Sequence, residues 1–181
     1  MANWIGHFKT ITAHKLRVMK YCFKVGLYRQ GLAHDLSKYT PVEFCAGAKY
    51  YDGTRSPIEL EKMELGYSAG WLHHKGRNKH HFEYWVDLNM QTKQYEPVPM
   101  PLNFIAEMFC DRVAACKIYK GKDYTDSSAL EYYLRGHARS KMHPDTADTL
   151  ESWLKMLADK GEAETFAHIK TSVKANKKSA K

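Results

Sequence analysis

The chain has 181 residues, the size of one ordinary domain, and 44% of them are hydrophobic, enough for a sizeable core. No run of 18 or more apolar residues occurs, which argues against a membrane span, and the start (Met1, Ala2, Asn3, Trp4) lacks the regions of a signal peptide, so a cytoplasmic location is expected. The formal net charge is +8, but five lysines, at 170, 174, 177, 178 and 181, crowd an acid-free tail that is either a solvated end or a grip for nucleic acid.

In chain order, Ile11, His14, Val18, Cys22 and Val25 recur at spacings of three and four, predicting a first helix over about 4–28. Gly26 and Gly31 bracket a turn, and a short helix over 32–38 follows. Pro41 suits the first turn of a helix over 42–51, and Ser56-Pro57 opens another that reaches about His74. Residues 75–79 read as a loop and 80–87 as a renewed helix. Three prolines, at 97, 99 and 101, mark 89–101 as an extended surface loop or lid. Helices are then predicted over 102–119, 127–141 and 145–160, with a last one from Glu162 into the tail. The expected fold is all-α, a single bundle-like domain over 1–169 followed by a basic tail over 170–181. Cys22, Cys45, Cys110 and Cys116 form no CxxC pair and sit among apolar neighbours, so buried free thiols are expected.

Several positions carry chemistry. His14 lies on the apolar stripe of the first helix. Asp111 falls in the middle of the face Phe104, Met108, Asp111, Ala115, Ile118. A carboxylate there is costly unless it is paired, with Arg112 for instance, or bound to a metal. His34-Asp35 sets an imidazole beside a carboxylate within H-D-L-S-K-Y-T-P. The string W-L-H-H-K-G-R-N-K-H-H-F-E-Y-W places His73 and His80 seven apart, and likewise His74 and His81. Imidazole is a common ligand for transition metals. The four histidines also read as a cationic patch for phosphate or nucleic acid, together with Lys75, Arg77 and Lys79.

The order H … H-D … H … H … D over about 100 residues resembles the HD-domain metalloprotein superfamily, whose pattern falls on helices. H-D-L-S-K-Y-T-P is similar to the H-D-x-G-K-x-x-x-P neighbourhood of the HD-GYP subfamily, and His80-His81 with Glu83 resembles its double histidine and acid. Ser37 replaces the usual glycine, the proline comes one residue early and no GYP follows, so the chain is not assigned to the cyclic-di-nucleotide phosphodiesterases. As a whole it also resembles a small uncharacterised family of bacterial and phage proteins sharing H-H-K-G-R-N-K-H-H-F-E-Y-W.

The superfamily resemblance implies a core ligand set of His14, His34, Asp35 and Asp111. Two more histidines, His74 and His80 with His73 and His81 as alternates, would hold a second ion, with Asp35 bridging. One or two divalent ions of manganese, iron, cobalt, nickel or zinc are expected. In a phosphohydrolase such ions hold a phosphate and activate a water. Asp35 and Lys38 would be catalytic, and Lys38, Arg77, Asn78, Lys79 and Glu83 would meet a nucleotide or other small phosphate ester. Lys38 reads equally as a solvated helix end. Glu43 and Glu107 are either orienting partners of ligand imidazoles or helix-surface acids. Tyr39, Tyr67, Tyr84 and Trp85 are candidates to line the pocket, while His7, His137, His143 and His168 fall outside the pattern. A di-iron oxygenase with the same ligand order is the second reading. The third is a structural metal in a protein that binds nucleic acid through the basic tail and exposed aromatics. Such bundles are often dimers, so a homodimer is a further expectation.

Overall fold

The computed structural model describes residues 2–179; the expectations resting on Met1 and on Lys181 lie outside them. The fold is all-α, with one small hairpin. Helix α1 (Trp4–Lys24) begins at Asn3, whose side chain accepts a hydrogen bond from the Gly6 amide at 2.8 Å. Its stripe of Ile11, His14, Val18, Cys22 and Val25 is buried, as the spacing demands. After α2 (Tyr28–Ala33) the chain does not continue as a helix through His34 and Asp35. His34 is extended, Asp35 is left-handed at φ 54°, and only then does a 3-10 turn over Leu36–Tyr39 form. The expected helix over 32–38 is therefore two short pieces with the HD pair at the break.

Pro41 starts α3 (Pro41–Lys49), and Pro57 starts α4 (Pro57–Leu65). The helix expected to run on to His74 stops at Gly66, which takes φ 78° as a left-handed terminator. Ser68 then caps α5 (Ala69–Lys75), accepting from the Trp71 amide. The helix expected over 80–87 is not formed either. A 3-10 turn over Phe82–Tyr84 leads into strand β1 (Val86–Leu88), paired antiparallel with β2 (Tyr95–Pro97) in the register Asp87↔Glu96. Asn89 folds the connection by accepting from the amides of Gln91 and Thr92. Residues 89–97 of the expected surface loop over 89–101 are thus hairpin.

Helix α6 (Leu102–Lys120) forms the centre, packed on α1 and on α8 (Pro144–Ser179). Its buried side is Ile105, Ala106, Phe109, Cys110, Val113 and Ala114, rotated from the expected face, of which only Met108 is fully buried. The helix expected over 127–141 divides into α7 (Ser128–Arg135) and a 3-10 turn over Ala138–Lys141. Helix α8 bends at Gly161, where the sequence reading divides two helices; φ 75° and ψ 177° there suit glycine alone. Residues 170–179 continue α8, with Val173 buried and the Lys177 ammonium donating to the Gly26 carbonyl at 3.1 Å. The core runs between α1, α6 and α8, with Phe109, Leu150, Leu154, Leu157 and Ile169 fully buried. Cys22 and Cys110 are buried free thiols, but Cys45 is exposed and Cys116 half-buried. Among the described residues no helix is long and apolar enough to cross a membrane.

Candidate metal centre

Four segments converge beside the core: α1 with His14, the α2 break with His34 and Asp35, the stretch from α5 onward with His74, His80 and His81, and α6 with Asp111. Asp35 is 1% exposed. Its two carboxylate oxygens face two different groups of ligands. Oδ2 lies 3.3 Å from His34 Nε2 and 3.7 Å from His14 Nε2. Asp111 Oδ1 completes that side, 2.9 Å from His14 Nε2 and 3.5 Å from His34 Nε2. Oδ1 lies 3.3 Å from His74 Nε2 and 3.5 Å from His80 Nε2. His81 Nε2 joins this second side, 2.9 Å from His74 Nε2. The donor atoms of each group lie within 4.8 Å of one another, the span that one ion can bridge.

The imidazoles are oriented from behind. Glu107 Oε1 lies 2.9 Å from His34 Nδ1 and 3.3 Å from His80 Nδ1, one histidine of each group. Glu43 takes His74 Nδ1 at 2.7 Å and His73 Nδ1 at 2.6 Å. When Nδ1–H donates to a carboxylate, the Nε2 lone pair is left to face the centre. Gln30 Nε2 donates to the second oxygen of Glu107 at 2.6 Å. His34 Nε2, His80 Nε2 and Asp35 Oδ1 are buried and have no hydrogen-bond partner, which is costly for polar atoms unless something else binds them. Clusters of imidazole and carboxylate at this spacing fit divalent transition metals, and the residues present could hold two such ions with Asp35 between them.

The electrostatics match that reading. Burial alone would raise the Asp35 carboxyl, but His34, Lys38 and His74 hold it well below the usual carboxylate range. Burial is likewise overcome at Asp111, which His14 and His34 hold low, and at Glu107, which His34 and His80 hold at about 2. All three are anions at neutral pH. Burial pushes His81 well below its ordinary value, helped by the charge of His80 and His74, so it offers a neutral nitrogen. Burial would lower His34 too, but Asp35, Asp111 and Glu107 hold it well above its ordinary value.

A family model spans residues 3–156, which include every residue of both donor groups. The chain belongs to DUF5662, described as a family of unknown function. Neither the curated proteins nor the solved structures contain a match.

In this DUF5662 chain the other candidates lie in different places. His73 touches Glu43 and stands outside both donor groups, whereas His81 is inside one. Lys38 sits 2.6 Å from Asp35 Oδ2. Asn78 is buried and donates to Ser37 Oγ at 2.8 Å and to the His74 carbonyl, so it braces the centre from within. Ser37 thus has a partner. Arg77 is exposed and reaches back to the His73 carbonyl, and Lys79 lies over the Tyr84 ring. Neither joins the cluster. Glu83 is half-buried with Oε2 unpartnered, and burial raises its carboxyl. Tyr39 bonds Thr12, Tyr67 is exposed, Tyr84 borders solvent, and Trp85 donates to the Lys79 carbonyl.

Besides Gln30, sequence reasoning missed two contributors. Lys15 donates to the carbonyls of Leu32 and His34, both at 2.8 Å, pinning the HD break onto α1. His7 is buried in the wall of a cavity that also touches Lys38 and His74. His7, Ile11, His14 and Val18 follow one another at spacings of four, three and four, so the stripe that revealed His14 extends back to His7.

Proposed function

We propose that this chain is a metal-dependent phosphohydrolase of the HD-domain type, acting on a nucleotide or another small phosphate ester. The observation that supports it is Asp35, whose two oxygens face separate nitrogen-rich groups, an arrangement suited to a bridging ligand between two ions. A divalent ion in such a centre supplies Lewis acidity, holding phosphate oxygens and lowering the pKa of a bound water. The chain's own residues do the rest. Asp35, Asp111 and the five imidazoles would hold such ions, while Glu107 orients His34 and His80 and Glu43 orients His74. Lys38, with its side chain a quarter exposed, sets a permanent cation at the rim where a phosphate would carry its charge. Its ammonium is held charged: burial opposes this, but Asp35 and Asp111 outweigh it.

The test is elemental mass spectrometry on chain purified without chelator or added metal, with Asp35→Ala beside it, followed by a broad panel of phosphate esters. One or two ions per chain in the wild type, lost in the variant, and phosphate release from a panel member are the expected results. A wild type that is metal-free and cannot be loaded overturns the metal centre. A loaded protein that releases no phosphate overturns the hydrolase. Paired iron with oxygen-dependent turnover would instead make the chain an oxygenase, a chemistry that the same two-sided Asp35 supports.

A further inference from the structure

The first acid of the chain is Asp35 and the last is Glu164. The stretches on either side of them carry cations alone. Of the 28 Lys and Arg residues, 11 lie there, and the 17 that remain face 20 acids. The net charge of +8 thus comes entirely from these two stretches, and the fold packs them together. The Tyr21 ring of α1 meets the Phe166 ring of α8 at a centroid distance of 5.0 Å. The Lys24 ammonium crosses from α1 to lie 5.1 Å over Phe166, and Lys177 crosses from α8 to the Gly26 carbonyl.

Each helix carries a stripe of cations beside this seam. Arg17, Lys20 and Lys24 recur at spacings of three and four on α1, and Lys170, Lys174 and Lys177 at four and three on α8. All are exposed except Arg17, which is half-buried. Among the described residues, Lys24 alone of the six has an acid at ion-pair distance, Glu162 at 4.0 Å, and Glu162 is shared with Lys117. Elsewhere surface lysines are answered: Lys120 by Glu131, Lys155 by Glu151 and Lys160 by Glu164. Like charges at these spacings destabilise a helix. The helix dipole favours cations only in the last turn, which accounts for Lys24 and Lys177. Arg17, Lys20, Lys170 and Lys174 lie a turn or more from the helix ends and gain little from it.

We propose that this α1–α8 face binds the phosphate backbone of double-stranded nucleic acid, without regard to sequence. Each stripe runs for about 10 Å, over which one strand of a duplex passes roughly three phosphates. No aromatic ring within 17–24 or 165–178 is exposed, so the stripes offer bases nothing to stack on, which disfavours a single strand. No large apolar side chain is exposed in those ranges either, so nothing on the stripes enters a bilayer. The proposal is independent of the metal centre.

The test is fluorescence anisotropy of a labelled DNA duplex of mixed sequence, titrated with the full chain at potassium chloride between roughly 50 and 200 mM. The logarithm of the affinity should fall with that of the salt concentration with a slope of about −3 to −5. A second duplex of different sequence should bind equally well. Arg17→Gln with Lys20→Gln, and separately Lys170→Gln with Lys174→Gln, should each weaken binding about tenfold at the lower salt and flatten the slope by about two. Glutamine suits a helix, and circular dichroism checks that each variant is folded. Lys155→Gln with Lys160→Gln removes the same charge elsewhere on α8 and should leave the affinity unchanged. Absence of duplex binding at the lower salt overturns the proposal, as does a loss that this control pair reproduces. Tighter binding to the single strand, or to phosphatidylserine-containing vesicles, overturns it equally and makes that ligand the partner.

Discussion

A carboxylate as deeply buried as Asp35 is expensive unless its charge is answered on every side, and here four imidazoles and one ammonium surround it. The same logic makes Glu107 informative, because one oxygen faces a histidine of each donor group. Glu107→Gln keeps the shape but weakens the acceptor, so the affinity of both groups for metal should fall about 10–100-fold. Competition with a chromophoric chelator measures it; an unchanged affinity would mean that Glu107 does not orient the ligands. How legible the centre was follows from this physics. His14 and Asp111 were visible because a polar residue on an apolar stripe needs a reason. His34-Asp35 and the paired histidines were visible as strings. Which of the four paired histidines face inward was not, because that depends on where α5 ends and how the Phe82–Tyr84 turn aims His81, and neither is a property of spacing. Gln30 and Lys15 left no trace at all, since a glutamine or lysine on a helix is ordinarily solvated.

Among the elements, the break between α2 and the 3-10 turn matters most for the site. Asp35 holds φ 54°, a conformation that aspartate tolerates better than most residues, and Lys15 secures the carbonyls on either side of the break. Lys15→Met leaves those carbonyls to partial solvation. The expected loss is about 1–2 kcal/mol of stability, read by urea unfolding, together with weaker metal binding. Loss of stability with metal affinity intact would show that the break is held without Lys15. The bend at Gly161 gives a cleaner backbone test. Gly161→Ala forces a side chain into a conformation reserved for glycine, with the new Cβ 3.3 Å from Asp126 Oδ2. It should cost about 1–3 kcal/mol without touching metal content. Both elements bear on legibility. The division of α8 at Gly161 was readable because glycine interrupts a strong period. The break at His34 was not, because nothing in Leu32 to Lys38 forbids a helix locally. The hairpin was misread because Asn89 acts through its side chain, while the run from His80 carries too little periodicity to show where a helix would stop.

At the scale of the whole molecule, the metal-free chain must bury a dense set of opposed charges, and its stability should depend on pH in a defined way. Asp35 and Asp111 titrate low, so their stabilisation is complete above their ordinary value of 3.8 and is lost as pH falls through the lowered values. His34 titrates high, so its stabilisation is complete below 6.5 and is lost as pH climbs through the raised value. An ion demands ionised carboxylates and a neutral His34, so it displaces the His34 proton, and its advantage must grow with pH. At a hundredfold excess over its Kd an ion stabilises by about 2.7 kcal/mol, or roughly 5–10 °C in Tm for a chain of this size. Scanning calorimetry on chelator-stripped and reloaded protein should therefore show a larger rise on loading at about pH 8 than at about pH 6. An equal rise at both would mean that binding releases no proton from His34, and the nitrogen facing Asp35 would then be no ligand. The outcome separates a centre that assembles around an ion from a charge cluster that stands by itself, because only the former trades protons for metal.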